Sequence, residues 1–325
     1  MNPQKIKVMN RCCPICESEE IEILSKGIRN DKNKYVLKCK NCETGFLENI
    51  KSEEDLEEYY KEKYRKEFTP NINEQTNAKE LFETYSPFQD ERLKNLAPYM
   101  GKEKRLMEIG SSAGMFLYHV KDKFKEVVGV ELDRDSAYFS KKICNCEVYQ
   151  KPLKDLTFVE PESFDVICAF QVLEHVSNPR EFIQQALRFL KKDGVLYFEF
   201  PNRFDALVSS YKLPYHSKFF YHSAHNYYFS EKGIRLVLEK LNLDFEFVYS
   251  QDYNIINHIN WINNDRPQKD CIPGLSIPNI SYQENAGRDI MNKLSDFFIS
   301  MDRKYKSLLQ ELKISSNFAF IAKKG

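Results

Sequence analysis

The sequence has no excess of charge of either sign, because 48 Lys and Arg residues balance 48 Asp and Glu residues among 325. A protein that binds polyanions along its surface usually carries a basic excess, so this balance argues against a nucleic-acid binder. Long apolar runs are also missing, and none approaches the roughly 20 residues that a membrane-spanning helix needs. No apolar segment follows residues 1–8, as a secretory signal would require. A cytoplasmic protein without a membrane span is therefore expected.

What the chain does contain is enough apolar material for a core. Hydrophobic residues make up 42% and aromatic residues 14%, which excludes a disordered chain. The length predicts about two domains. Five of the nine cysteines precede residue 43. In a chain without an export signal, such clustering indicates metal binding rather than disulfide bonds.

Four of these cysteines form two Cys-x-x-Cys pairs, Cys13/Cys16 and Cys39/Cys42. Two such turns can present four thiolates to one tetrahedral zinc ion. This spacing predicts a zinc ribbon over residues 1–48, in which Cys12 is an alternative to Cys13. A closed site of four thiolates has no open position for a substrate, so the predicted role of the zinc is structural.

A Ser-Glu-Glu-Asp sequence at residues 52–55 fits the start of a helix, and residues 49–84 are predicted to be a helical linker. Beyond it, residues 105–109 form a short apolar strand, Gly110 to Gly114 form a glycine turn, and residues 115–120 fit a helix. This order is the first unit of a doubly wound sheet.

A second predicted strand ends at Glu131, which lies 23 positions after Glu108. An acidic residue at this place can accept hydrogen bonds from the hydroxyls of a ribose. NAD is the alternative nucleotide, but its binding turn usually reads Gly-x-Gly-x-x-Gly, whereas this turn has glycines only at its ends.

The sequence resembles class I S-adenosylmethionine-dependent methyltransferases in three places: the Glu-x-Gly-x-x-x-Gly turn at 108–114, Glu131, and Leu-Glu-His-Val at 173–176. The resemblance implies an α/β, Rossmann-like doubly wound methyltransferase domain over residues 85–325. About 65 residues separate the last two predicted strands, so an insertion with acceptor-site elements is expected at residues 251–315.

The resemblance also implies a set of residues that bind S-adenosylmethionine. Gly110 and Gly114 would approach its methionyl part, Glu108 its amino group and Glu131 its ribose. Ser112 stands where many members have a middle glycine, and Pro152 stands near the usual acidic residue beside the adenine. The full expected set is Glu108, Gly110, Ser112, Gly114, Glu131, Leu132, Leu153 and Phe170.

Three of the six histidines lie in one aromatic stretch after the fifth predicted strand: His216, His222 and His225. Because ligands bind beyond the carboxyl ends of strands in such sheets, this stretch is expected near the cofactor. A histidine there could accept a proton near pH 7. No carboxylate or cysteine is interleaved, which disfavours a metal site, and a purely structural aromatic loop is the other alternative.

The zinc ribbon and the sequence His225-x-Tyr-Tyr-Phe-Ser resemble zinc-containing methyltransferases of nucleotide-sugar and surface-glycan pathways. Sugar C-methyltransferases of that group have Glu-His in this motif, but here Ala224 replaces the glutamate. The resemblance then favours O-methylation with His225 as the general base and His175 as the second candidate. Trp261 is a candidate for stacking on a sugar.

The function predicted from the sequence is methyl transfer to a sugar or nucleotide-sugar acceptor in glycan biosynthesis, with S-adenosylmethionine as cofactor and structural Zn²⁺. The alternatives are a ketosugar C-methyltransferase, a zinc-ribbon RNA methyltransferase and a non-catalytic module with this cofactor fold. The expected partner is a small sugar-like molecule, and no nucleic acid is expected. Acceptor identity, the methylated atom and the oligomeric state stay open.

Overall fold

The computed structural model describes residues 12–29, 31–62, 76–278 and 288–324. Among these residues no helix is both long and apolar enough to cross a membrane. The strands are β1 Ile21–Ile28, β2 Asp31–Cys39, β3 Gly45–Leu47, β4 Gly101–Ile109, β5 Phe124–Val130, β6 Glu147–Tyr149, β7 Phe164–Phe170, β8 Leu190–Pro201, β9 Tyr227–Tyr228, β10 Leu243–Ser250 and β11 Asn317–Lys324.

Twelve α-helices alternate with these strands or extend from them in the described part of the chain. They are α1 Glu53–Glu62, α2 Ala78–Tyr85, α3 Asp90–Leu96, α4 Met115–Val120, α5 Arg134–Cys144, α6 Pro179–Leu187, α7 Ala206–Ser209, α8 Pro214–Phe220, α9 Glu231–Lys240, α10 Ile255–Asn264, α11 Ile272–Leu275 and α12 Arg288–Glu311. Capping fits the sequence: Asn178, for example, accepts a hydrogen bond from the Glu181 backbone N–H at the start of α6, as expected for an N-cap.

A mixed sheet of seven strands, in the order β10-β11-β8-β7-β4-β5-β6, forms the centre of the fold. The five strands from β8 to β6 are parallel, and β11 runs antiparallel between β8 and β10. The second halves of the central strands β4 and β7 are mostly apolar and buried, since Leu106, Met107, Ile167 and Cys168 are fully buried. Such runs suit strands covered on both faces. The predicted α/β doubly wound fold is confirmed.

The chain between β10 and β11 contains α10, α11 and α12. Residue Ser250, at the end of β10, pairs with Asn317, at the start of β11. The chain therefore leaves the sheet and returns to it at the same edge. The insertion that the sequence predicts between the last two strands is present.

A second, smaller sheet has the order β1-β2-β3-β9. Its first three strands belong to the cysteine-bearing segment: Cys13 and Cys16 precede β1, Cys39 ends β2 and Cys42 lies in the turn before β3. In contrast, β9 belongs to the histidine stretch far along the chain. The pairing is antiparallel, with Gly45 opposite Tyr228 and Phe46 opposite Tyr227. The cysteine-bearing strands and the histidine stretch are therefore parts of one sheet.

Candidate active site and metal cluster

An open cleft of about 1600 Å³ lies at the carboxyl ends of the parallel strands. Seven of the eight residues expected to bind the cofactor line it: Glu108, Gly110, Ser112, Glu131, Leu132, Leu153 and Phe170. Gly114 is not among the described residues that line the cleft, although it belongs to the same turn. Pro152, near the expected adenine position, also lines the cleft. The structure thus brings most of the predicted cofactor residues to one wall.

The glycine turn needs both of its glycines for steric reasons. Gly110 has φ +74°, and a Cβ there would lie 2.5 Å from Cγ2 of Val172. Gly114 has φ +84°, and a Cβ there would lie 2.6 Å from Oγ of Ser140. Left-handed backbone favours glycine, and these contacts leave no room for a side chain. The turn is therefore fixed by packing against the elements beside it.

Glu131 connects the glycine turn to the second parallel strand. Its Oε2 accepts a hydrogen bond from the Ser112 backbone N–H at 2.7 Å, and its Oε1 accepts one from the Asp133 N–H at 2.8 Å. Each carboxylate oxygen has two acceptor positions. These two bonds hold the carboxylate in place at the cleft wall.

Glu108 is a buried acid on the same wall, with 4% of its surface exposed. Its Oε2 has no hydrogen-bond partner among the described residues. Burial raises the pKa of Glu108 well above its ordinary value, although the Arg92 guanidinium opposes this rise. An unpaired buried carboxyl oxygen at a cleft wall fits a cationic ligand group such as the amino group of S-adenosylmethionine.

His175 and His225 meet beside this cleft, with ring centroids 4.7 Å apart. His175 lines the cleft, whereas His225 is not among the described lining residues. Between them lies Glu174, which the sequence analysis did not select. Metal-binding atoms of Glu174, His175 and His225 all lie within 4.8 Å of one another.

Burial controls the charge of this cluster. It lowers the pKa of His225 well below the ordinary value, and the nearby His222, His175, Arg29 and Lys51 act in the same direction. Burial also raises the pKa of Glu174 to about 8. His225 is therefore a neutral imidazole near pH 7.

The third histidine of the stretch, His216, lies elsewhere. Its ring packs against Trp261, with ring centroids 4.5 Å apart. The ring of Phe219 also packs against Trp261, with centroids 5.4 Å apart. Trp261 is buried, with 5% exposed, and is not among the described residues lining the cleft. The hypothesis that Trp261 stacks on a sugar in this cleft is therefore wrong, because its ring is part of a packed aromatic group.

The four predicted cysteine ligands converge. Sγ of Cys13 lies 3.6 Å from Sγ of Cys42, and Sγ of Cys16 lies 3.5 Å from Sγ of Cys39. The four sulfurs lie within 4.8 Å of one another, and Cys12 is exposed outside the group. Four sulfurs each about 2.3 Å from a zinc ion would have this mutual spacing.

Backbone groups favour thiolates in this cluster. The Ile15 N–H donates to Sγ of Cys13, and the Cys42 N–H donates to Sγ of Cys39, both at 3.4 Å. The side-chain hydrogen bond between Cys13 and Cys42 lowers the pKa of Cys42 and raises the pKa of Cys13, so Cys42 is the more readily ionised of the two. The donor set therefore fits one structural zinc ion.

A family model described as a methyltransferase domain matches residues 78–246, more than half of the chain. The chain belongs to this methyltransferase family. Together with the curated relatives below, the match makes the protein an S-adenosylmethionine-dependent methyltransferase.

Curated relatives of this methyltransferase include two ubiquinone biosynthesis O-methyltransferases. That of Glaesserella parasuis is 26% identical over 178 residues, which cover 50% of this chain and 74% of the relative. That of Actinobacillus pleuropneumoniae is 25% identical over 178 residues, covering 50% and 75%. A methyltransferase structure from Archaeoglobus fulgidus matches with a TM-score of 0.48 and 17% identity, covering 76% of this chain and 97% of that one.

The methyltransferase cleft also has a polar wall that no sequence motif marked. Arg92 donates to Oε1 of Glu199 at 2.7 and 3.0 Å. Gln171 donates to Oδ1 of Asn317 at 3.3 Å, and Asn317 donates to Oδ2 of Asp252 at 2.6 Å. Burial raises the pKa of Asp252 to about 6. We call these five residues, all of which line the cleft, the polar wall.

Proposed function

We propose that this methyltransferase methylates a hydroxyl group of a sugar or nucleotide-sugar acceptor in glycan biosynthesis. The observation that carries the proposal is the cluster of Glu174, His175 and His225 beside the cofactor cleft. Bound S-adenosylmethionine supplies an electrophilic methyl group. A hydroxyl is a weak nucleophile, so a group that helps to remove its proton accelerates the transfer.

In this proposal, Glu108 binds the cofactor amino group, Glu131 binds its ribose, and the turn from Gly110 to Gly114 lets the backbone approach the methionyl part. The unpartnered oxygen of Glu108 supports the first assignment. The fixed carboxylate of Glu131 supports the second. Ser112, Leu132, Leu153 and Phe170 complete the pocket.

The histidines are the proposed groups that activate the hydroxyl. His225 is the first candidate from the sequence, and His175 is the second. Because His175 lines the cleft and His225 lies behind it, we propose that they act together, with His175 nearer to the acceptor. The polar wall supports a hydroxyl-rich acceptor, since carboxylates and amides can each bond to hydroxyl groups.

The names of the curated relatives favour oxygen as the methylated atom and provide a second candidate acceptor, a precursor of ubiquinone. Ketosugar C-methylation stays an alternative, since its motif differs here only at Ala224. RNA methylation by a zinc-ribbon enzyme is the third alternative, which the balanced charge disfavours.

The test of this function is an acceptor screen with methyl-labelled S-adenosylmethionine. The panel would contain nucleotide sugars, glycan precursors, phenolic ubiquinone precursors and transfer RNA. We expect label in a sugar as an acid-stable methyl ether. Label in a phenol, at a sugar carbon or in RNA, with none on sugar oxygens, would replace the proposal by the corresponding alternative.

Cofactor binding gives a first quantitative prediction. Glu131→Ala should weaken S-adenosylmethionine binding by about 1–3 kcal/mol, or about 5- to 150-fold, because hydrogen bonds to a charged group are lost. Isothermal titration measures this change. The control is Glu126→Ala, which replaces an exposed acid on β5 that lies outside the described lining of the cleft. Equal affinities for wild type and Glu131→Ala would contradict the ribose assignment, and tight NAD binding without response to S-adenosylmethionine would contradict the cofactor.

Glu108 predicts a pH dependence of cofactor binding. Its folded pKa is raised, so at low pH the carboxyl is neutral and attracts the cofactor ammonium group less. Affinity should therefore rise as pH increases through the raised pKa of Glu108, at pH values above the ordinary carboxyl range. Glu108→Gln should bind more weakly and lose this dependence. An unchanged pH profile in Glu108→Gln would show that another group is responsible.

We also propose that Cys13, Cys16, Cys39 and Cys42 bind one structural Zn²⁺. The convergent sulfurs and the two backbone hydrogen bonds to them support this assignment. As domains, we propose the zinc ribbon at 1–48, the helical linker at 49–84 and the methyltransferase domain at 85–325.

A further inference from the structure

Glu174 is an almost fully buried acid. Only 1% of its surface is exposed, and neither carboxyl oxygen has a hydrogen-bond partner among the described residues. A buried carboxyl group without a partner costs several kcal/mol in an apolar environment. Such a group in a packed site indicates a ligand or ion that satisfies it.

Two imidazole nitrogens lie near the carboxyl group of Glu174. Nε2 of His175 lies 3.7 Å and Nε2 of His225 lies 3.8 Å from Oε1 of Glu174. These distances are too long for hydrogen bonds. Nitrogen and oxygen ligands about 2.0–2.1 Å from a tetrahedral metal ion lie roughly 3.4 Å from one another. The observed spacing is close to that of a ligand set.

The hydrogen bonding of His175 fits the same geometry. Its Nδ1 lies 2.8 Å from the backbone oxygen of Ala224. A carbonyl oxygen only accepts, so Nδ1 carries the proton, and Nε2 is the nitrogen that can act as a ligand. This arrangement is typical of metal-binding histidines, whose second nitrogen donates to a carbonyl or carboxylate.

We propose that Glu174, His175 and His225 bind a divalent transition-metal ion. Two imidazoles and one carboxylate are a common donor set for catalytic zinc and related ions, and they leave a coordination position open. The sequence disfavoured a metal here because no acid is interleaved with the histidines. The structure supplies the acid from the turn that follows β7.

The role of this ion rests on the proposed function. His175 lines the cleft, so the open position would face an acceptor hydroxyl and lower its pKa. The hydroxyl proton leaves to water in the cleft, and the oxygen lone pair forms the new C–O bond. The S–CH₃ bond breaks, and its electron pair stays on sulfur as the neutral thioether.

The test counts metal ions without any acceptor. Full-length protein is stripped with a chelator, reloaded with Co²⁺ or Zn²⁺, desalted and analysed for metal. Wild type should bind two ions per chain, one at the cysteines and one at this site. Glu174→Gln and His225→Asn should bind the second ion at least tenfold more weakly. His119→Asn, whose histidine bonds to Ser86 outside the cluster, should still bind two.

Cobalt distinguishes the two sites, because only the four-thiolate site gives strong sulfur-to-metal charge-transfer absorption. Circular dichroism and cofactor titration check that each variant is folded. One ion per chain in wild type, with a content unchanged in Glu174→Gln, would overturn the inference. In that case a loss of turnover in His225→Asn would still support a histidine base. Two ions per chain without methylation of any hydroxyl would instead refute the proposed function alone.

Discussion

Replacing Cys39 and Cys42 together by serine is expected to lower turnover about 100-fold while changing the affinity for S-adenosylmethionine little. The zinc content should fall by one ion per chain. The expected loss does not come from direct contact with the substrate. It comes from displacement of the histidine stretch, since a misplacement of about 1 Å by a remote change can cost this much.

The path from the cysteines to the histidines is short and made of hydrogen bonds. Ser230 donates to the Cys42 carbonyl oxygen at 2.5 Å. The Leu47 N–H donates to the Asn226 oxygen at 3.0 Å, next to His225. Lys51 donates to the Ser223 carbonyl oxygen. Loss of the metal should therefore loosen β3, the strand that pairs with β9 and holds the histidine stretch in place.

Most of the residues proposed to bind the cofactor belong to other elements, namely β4, β5 and the turns that follow them. Cofactor binding should therefore persist. Isothermal titration and metal analysis measure the two properties separately. Cys12→Ser is the matched control, because Cys12 is exposed outside the cluster, and it should behave as wild type. Full turnover in the zinc-free double variant would show that the ribbon does not position the histidines.

The fold could be predicted from the sequence because its signals are local. A glycine turn between a strand and a helix, an acid after the second strand and the spacing of the last strands all lie within short segments. They depend on backbone sterics and on the order of elements, which the sequence displays directly. The convergence of Cys13, Cys16, Cys39 and Cys42 follows from spacing in the same way.

The pairing of the cysteine-bearing segment with the histidine stretch could not be predicted in this way. β9 has only two residues, too few for an alternation pattern, and its partner β3 lies about 180 positions earlier in the chain. In the sequence, Glu174 is only one residue of the Leu-Glu-His-Val motif, because nothing in the neighbouring residues indicates that His225 packs against it. The available signal for the polar wall is Glu199, an acid within the apolar second half of β8.

The last prediction concerns His225→Asn, which should lower turnover by about 10²–10⁴-fold, the range for loss of a proton-transfer group. Cofactor affinity should stay near that of wild type, because His225 lies behind His175 rather than among the described lining residues. The rate is measured with the acceptor identified in the screen, from pH 6 to pH 9. Nε2 of His225 lies 3.8 Å from Oε1 of Glu174. Loss of the His225 imidazole should therefore impair hydroxyl activation both if the cluster acts as a base and if it binds a metal ion.

The same stretch offers a matched control for this experiment. His216→Asn also removes a buried histidine, but His216 packs against Trp261 in a separate aromatic group. This variant is expected to lower the thermal midpoint and to keep kcat within a few-fold of wild type. If His225→Asn instead turns over the acceptor at the wild-type rate across the whole pH range, His225 does not take part in the reaction. His175→Asn in the same assay then decides whether His175 alone activates the hydroxyl. Of the two histidines in the cluster, His175 is the one that lines the cleft, and its Nε2 lies 3.7 Å from Oε1 of Glu174.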